Sequence, residues 1–348
     1  MSENVSLKRQ ALAWSTLLRI GPTARGVLPF LLGATIAWSQ GYPINWAVLL
    51  LSTLGVVLVM LVTFLINEYY DYGADIINRQ FHSLSGGSRV LPMGLVPRRE
   101  ALWAAYALVA AVAALGLVLY FVYNTGLLTL PLGFFALLIG YFYTAKPVQL
   151  SYRGLGELAI WFSCGWLATI MGYYLQTGRL DDVAILASFP GAFSVFLVIL
   201  INEFPDMHSD AIAGKKNLLV RLGKERSMYL YIGTLVFTYL FMIAIVFFDV
   251  PMITAALSVV LLPFMVWNIV SLRKKGTLEN TGAMEAVSLR TMLLDHLITF
   301  IYIVAFIVAG LGLAAVQRSD LVIIVILCVL VLGLEGLSVA CSKSIRGK

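Results

Sequence analysis

Long apolar runs without charge, separated by short polar segments, set the rhythm of this chain. Stretches near 22–38, 46–67, 101–123, 127–144, 156–175, 184–204, 228–248, 251–271, 291–315 and 321–341 each hold about 17 residues or more, enough to cross a hydrocarbon core as a helix. There are ten of them. No strand-like alternation competes, and lipid offers no partner to an open backbone edge, so the pattern predicts an all-α bundle of membrane-spanning helices. The N-terminal MSENVSLKRQALAWST shows no cleavable signal pattern, so the first span is expected to stay.

Composition agrees with the pattern: of 348 residues 60% are hydrophobic and 12% charged, against roughly 45–50% and 25% in soluble domains. Charge then orients the bundle. With the N-terminus in the cytoplasm, all but Arg179 and Arg318 of the 24 Lys and Arg residues fall on the cytoplasmic side. This is the positive-inside bias, and it places both termini and the two long loops, about 68–100 and 203–227, inside a cell membrane crossed many times. The net charge of +6 is accounted for by that bias, and nothing calls for a nucleic-acid partner. Cys164, Cys328 and Cys341 are isolated, without metal or redox spacing, and read as buried apolar residues. No linker or soluble domain interrupts the chain, which is expected to form one intramembrane unit with surrounding lipid. Oligomeric state is unreadable from the sequence.

Two polar motifs stand at cytoplasmic ends of apolar runs, where ionisable groups are costly and mark function. NEYYDYGAD, residues 67–75, places Asn67, Asp71 and Asp75 at i, i+4 and i+8, one stripe of a helix. NEFPDMHSD repeats the spacing with Asn202, Asp206 and Asp210, although Pro205 should break that helix and leave the second stripe partly loop. Four carboxylates facing each other cannot all ionise without cations between them. Mg²⁺ binds through a few carboxylates while substrate phosphates complete its shell, so the pair implies a phosphorylated substrate. Arg79, Arg89, Lys146, Arg153, Lys215, Lys216 and Arg221 stand close enough in sequence to face an anion. A site opening into a membrane bundle suits a diphosphate head on an apolar tail, a prenyl diphosphate. The rival class is an ion-coupled transporter, whose relay acids would lie mid-span; Glu335 in the last span is the one candidate, expected instead at a packed or lumenal position.

Several single residues carry two readings. Glu68, at i+1, points about 100° off the stripe and is either a further metal ligand or the acceptor's base. Tyr70 has the same ambiguity, and Arg25, inside the first span where an unpaired arginine is costly, is expected to face the cavity. His296 either lines the acceptor side or is a satisfied buried histidine, and Asp295 beside it cannot share its face. His82 and the Gly86-Gly87 pair sit in the first loop, where Gly-rich backbone can close over a diphosphate, and His208 reads as solvated.

NEYYDYGAD and NEFPDMHSD resemble the two aspartate motifs of the UbiA superfamily of intramembrane prenyltransferases, with Glu68 in place of the usual acid. FPDMHSDAIAGKKNLLVRLG and YTAKPVQLSYRGLGELAIWFSCGWLATIMGYYLQTG are similar to segments of the 1,4-dihydroxy-2-naphthoate polyprenyltransferase branch, with Asn217 where Thr is usual. LLRIGPTARGVLPFLLGATIA resembles the family's opening segment. The similarity covers residues 19 to about 315; the loop FHSLSGGSRVLPMGLVPRREAL differs from the branch's short basic loop, and residues 321–341 add a tenth span to a nine-span family.

The resemblance implies Mg²⁺ held by Asn67, Asp71, Asp75, Asn202, Asp206 and Asp210, with Asp71, Asp75, Asp206 and Asp210 central to catalysis. It implies Lys146, Arg153 and Lys216 beside the departing pyrophosphate. An allylic cation would then alkylate an aromatic quinone precursor, 1,4-dihydroxy-2-naphthoate on the branch's pattern, as in menaquinone biosynthesis. Another acceptor or an internal cyclisation stays open. Water must be kept from the cation, and Tyr69, Tyr70, Tyr72, Tyr141, Tyr143, Tyr152, Phe162 and Trp166 are available for the walls, against plain packing or an interfacial belt for each.

Overall fold

The computed structural model describes residues 7–78, 81, 85–312, 320, 324–333 and 335. Among these residues there is no strand. Helices follow one another as α1 (Leu7–Leu18), α2 (Ala24–Ser39), α3 (Trp46–Tyr70), α4 (Tyr72–Ile77), α5 (Arg98–Phe121), α6 (Thr129–Phe142), α7 (Gly156–Ile160), α8 (Ala168–Thr177), α9 (Asp182–Asn202), α10 (Met207–Ile212), α11 (Leu218–Leu222), α12 (Lys224–Ala244), α13 (Ile253–Ser258), α14 (Leu262–Arg273), α15 (Thr281–Gly310) and α16 (Ile324–Gly333). Among the described residues eight helical segments are long and apolar enough to cross a membrane. The shorter apolar α6 and α16 fall in the stretches at 127–144 and 321–341, so every expected span contains a helix.

The middle of the bundle is α2, which runs against α8, α15, α3 and α9. Nearly all of α2 is buried, from Ala24 to Ser39 except Arg25. Lipid tails are as apolar as leucine, so membrane helices associate by close packing, with small residues at the crossing. Gly33 of α2 and Gly172 of α8 show this directly. A Cβ on Gly33 would overlap the Thr169 carbonyl, and one on Gly172 the Phe30 carbonyl. At Trp161–Leu167 the chain between α7 and α8 widens into a π-helical turn, where Gly165 lies against the Ala192 backbone of α9. A second apolar cluster joins α1, the end of α3 and the start of α5.

The two acidic motifs lie where spans end. α3 stops at Tyr70, yet the Asp71 amide still donates to the Asn67 carbonyl (2.8 Å) and the Asp75 amide to Asp71 (2.9 Å). The helical register therefore continues into α4, and the first stripe survives the break. In the second motif α9 ends at Asn202, a turn holds Pro205, and α10 begins at Met207. Proline ends the helix there as expected, and α10 packs back against α4.

Candidate active site

Asn67, Asp71, Asp75, Asn202, Asp206 and Asp210 all line one polar cavity of about 270 Å³ between α3–α4 and α9–α10. All four aspartates are largely out of solvent. Burial and repulsion from Glu68 and Asp71 push the Asp75 carboxyl up to about 8. Burial, then Asp210, raises Asp206 to about 6, opposed by hydrogen bonds from Asn78 and Gly86. Burial also raises Asp210, and lifts the neighbouring Glu203 well above the carboxylate range. The cation set between the aspartates is Lys215, whose Nζ lies 3.4 Å from Asp71 Oδ2 and 3.8 Å from Asp210 Oδ1. Its own burial acts to lower it, but Asp71 and Asp210 prevail and hold it protonated.

Among the described residues no three Asp, Glu, His or Cys side chains already converge as a metal cage. The donor chemistry nevertheless fits Mg²⁺. Asn67 Oδ1 and Asn202 Oδ1, one from each motif, are buried in the cavity wall with no hydrogen-bond partner among the described residues. Hard oxygens left without a proton donor, beside carboxylates raised by burial and by their mutual repulsion, are what a divalent cation satisfies.

The first loop closes the cavity. Gly86 N donates to Asp206 Oδ2 (3.0 Å) and Asn78 Nδ2 to Asp206 Oδ1 (2.7 Å), tying the first motif's end to the second motif. Gly87 has φ +67, and a Cβ there would collide with the Asp75 carboxylate. Val90 and Leu91 plug the loop into the apolar cluster beside Leu65 and Ala101. Glu68 fastens it from below. Its Oε1 accepts from Ser88 N (2.6 Å) and Arg19 (2.5 Å), and its Oε2 from Ser88 Oγ (2.8 Å). Glu68 thus lines the cavity as the loop's anchor, with both oxygens engaged, rather than as a free base.

The expected cations divide. Lys215 is in the cavity; Lys146, Arg153 and Lys216 are exposed and outside its lining. The guanidinium of Arg153 turns back onto the Pro147 carbonyl (2.9 Å), and the Lys216 backbone is held by Tyr152 and Arg221. Sequence proximity did not decide which way these side chains point. Arg221 is likewise committed to the Lys216 and Arg153 carbonyls. Arg89 bonds the Asp75 carbonyl and covers the Phe81 ring, supporting the first motif without lining the cavity. Arg79 and His82 lie outside the described residues.

Of the tyrosines, Tyr152 donates to Asp71 Oδ1 (2.8 Å) and Tyr143 lines the cavity, whereas Tyr70 packs in the apolar cluster with Tyr141. The sequence reading missed Asn78 and Arg19. Asn78 extends the stripe 67, 71, 75 by one more helical step, a signal that was present; Arg19 had none. Of the packed and lumenal positions expected for Glu335, the structure has the packed one: the residue is buried in the wall of the polar cavity, 2.8 Å from His296 and 3.6 Å from Arg25.

Below the polar cavity lies a larger apolar one of about 530 Å³, walled by α2, α3, α5, α6 and the α7–α8 segment. Pro22, Arg25, Thr63, Phe64, Tyr143, Ile160 and Ile199 line both, so the two cavities adjoin along that wall. Phe162 and Trp166, available for the walls by sequence, stack on each other outside the lining, which is the plain-packing alternative; Phe30, Phe64 and Phe134 line the apolar cavity.

The family model described as the UbiA prenyltransferase family matches residues 27–289. The chain belongs to that family. It is a multi-pass membrane prenyltransferase of UbiA type, carrying both aspartate motifs in the matched region. The 1,4-dihydroxy-2-naphthoate octaprenyltransferase of Mycobacterium tuberculosis is 30% identical over 252 residues, covering 70% of this chain and 83% of that protein. The UbiA prenyltransferase domain-containing protein 1 of Dictyostelium discoideum is 26% identical over 269 residues, covering 74% and 79%. In fold, this UbiA prenyltransferase is similar to a UbiA homolog from Archaeoglobus fulgidus solved with GPP and Mg²⁺ (TM-score 0.53, 19% identity, 83% of this chain and 99% of that one). It is also similar to a digeranylgeranylglyceryl phosphate synthase (TM-score 0.59, 19% identity, 86% and 99%).

Proposed function

We propose that this enzyme transfers a polyprenyl group from a prenyl diphosphate to an aromatic quinone precursor, 1,4-dihydroxy-2-naphthoate, with Mg²⁺, at the cytoplasmic face of the cell membrane. The observation that carries the reading is the adjacency of the polar and apolar cavities, which share seven lining residues and together suit a diphosphate head and an isoprenoid tail. Naphthoate is favoured as acceptor by the relatives that bear its name.

Asn67, Asp71, Asp75, Asn202, Asp206 and Asp210 would hold Mg²⁺, which when bound neutralises the diphosphate and makes it a better leaving group. Lys215, between Asp71 and Asp210, offers its ammonium to the charge that develops on the departing pyrophosphate. Tyr152 steadies Asp71, and the glycine pair keeps the loop backbone close to the head group. The apolar wall, with Phe30, Phe64 and Tyr143, excludes water from the allylic cation until the acceptor carbon attacks.

The test is pyrophosphate release by the purified chain given Mg²⁺, prenyl diphosphates of several lengths and aromatic acceptors. Release that requires 1,4-dihydroxy-2-naphthoate supports the reading. Release without any acceptor would indicate a cyclase. No release under any pairing, with ion-driven uptake in vesicles that Asp71→Asn abolishes, would indicate a transporter.

A further inference from the structure

Arg25 of α2 lines both cavities, Glu335 just after α16 lines the polar one 3.6 Å from it, and His296 of α15 stands behind Glu335 at 2.8 Å. Along the sequence each lies roughly one to two helical turns inside the cytoplasmic end of its apolar stretch. Three ionisable groups at that depth are costly unless they serve the cavity that Arg25 and Glu335 line. His296 and Glu335 lie beyond residue 289, where the match to the family model ends.

Their hydrogen bonding is incomplete in an informative way. His296 Nδ1 is 2.7 Å from the Met292 carbonyl, which can only accept, so Nδ1 carries its hydrogen. Nε2 then faces Glu335 Oε2 at 2.8 Å, without the alignment of a linear hydrogen bond. Two bare acceptors would repel at that distance, so one proton resides between them. The other carboxylate oxygen, Oε1, is buried without a hydrogen-bond partner among the described residues, 3.6 Å from the Arg25 guanidinium, and Arg25 Nε is likewise unpartnered among them. Asp295 is not in competition, since its Oδ1 accepts from Ser194 (2.6 Å). An open carboxylate oxygen beside an open guanidinium edge matches a phenolic hydroxyl next to an anionic ring substituent.

We propose that Glu335 is the base that accepts the hydroxyl proton of the aromatic acceptor, with His296 positioning it and Arg25 facing the acceptor's anionic substituent. This rests on the prenyl-transfer reading above. The bond from prenyl C1 to the diphosphate oxygen breaks, its electron pair leaving on pyrophosphate. The ring's π pair forms the new carbon–carbon bond to C1 as the hydroxyl proton passes to Glu335. The resulting ketone regains aromaticity by losing a proton or CO₂ from the alkylated carbon.

The experiment uses the full chain in lipid nanodiscs with Mg²⁺, geranyl diphosphate and 1,4-dihydroxy-2-naphthoate, following pyrophosphate release and prenylated product. Glu335→Gln is expected to lower kcat by about 100-fold, the usual size of a lost general base, while the KM for geranyl diphosphate stays within twofold. Glu335→Asp should restore part of kcat, and Arg25→Gln should raise the acceptor KM more for the naphthoate than for 1,4-naphthalenediol, which lacks the carboxylate. Stabilisation of each variant against heat by Mg²⁺ with geranyl diphosphate reports whether the donor site is folded. Near-normal turnover in Glu335→Gln overturns the proposal. So does equal loss of donor stabilisation and turnover in both Glu335 variants, which would make the carboxylate a clamp for the last helix. If the unaltered protein transfers to no acceptor, the prenyl-transfer reading itself fails and takes this proposal with it.

Discussion

Lys215→Met removes the ammonium between two carboxylates while keeping most of the side chain's length. Nζ lies 3.4 Å from Asp71 and 3.8 Å from Asp210, with 15% of the side chain exposed. At an effective dielectric of about 20 those contacts are worth roughly 5 and 4 kcal/mol of raw attraction. Desolvating three charged groups offsets much of that sum, and losing one member of a buried pair typically costs about 3–5 kcal/mol. The Met variant should therefore melt at a lower temperature in EDTA. Saturating Mg²⁺ should recover much of the difference, because the metal neutralises the same carboxylates. Catalysis should not recover. Deleting one donor to a developing anion lowers kcat by about 10²–10³, so pyrophosphate release should fall by that factor with Mg²⁺ saturating. Scanning fluorimetry with and without Mg²⁺, beside the pyrophosphate assay, reads both effects. Turnover within threefold of the unaltered enzyme, or an unchanged melting temperature in EDTA, would refute the reasoning.

Protons and Mg²⁺ should compete. With Asp75 raised to about 8 and Asp206 to about 6, the cation-free fold binds more protons than the unfolded chain, so these groups lose stabilising effect as pH rises from about 3.8 through those values. Mg²⁺ affinity should accordingly increase from pH 6 to pH 8 with protons released to buffer; calorimetry in buffers of different ionisation enthalpy checks this, and pH-independent affinity contradicts it. Gly87→Ala forces a Cβ onto the Asp75 carboxylate at φ +67; it should destabilise by about 1–2 kcal/mol and weaken donor binding in a thermal-shift titration. Gly133 lines the apolar cavity, and a Cβ there would meet nothing within 4 Å. Gly133→Phe should fold normally and shift preference toward shorter prenyl diphosphates, measured as relative kcat/KM across donor lengths.

The acidic stripes were legible because helical periodicity alone puts Asn67, Asp71 and Asp75 on one face, and the break at Pro205 follows from proline chemistry. The spans were legible because a bilayer leaves an apolar run little alternative to helix. What stayed hidden depends on partners distant in sequence. Lys215 and Lys216 are neighbours, yet one reaches the aspartates and the other points to solvent. Glu68 could be read as a ligand or a base until Ser88 and Arg19 were seen to occupy its oxygens. Glu335 looked like a solitary acid because His296 and Arg25, on two other helices, share no local pattern with it.

The central claim is that the adjoining cavities carry out prenyl transfer to a naphthoate with Mg²⁺. Mass spectrometry of the lipid products tests it most directly, with purified protein, Mg²⁺, a prenyl diphosphate of defined length and 1,4-dihydroxy-2-naphthoate. The account predicts a product whose mass is the acceptor plus one prenyl group less the departing proton or CO₂, absent when Asp71→Asn or Asp206→Asn replaces the unaltered chain. A reaction that yields only prenyl alcohol, a cyclised hydrocarbon or unchanged donor, across donor lengths and in the presence of Mg²⁺, would contradict it.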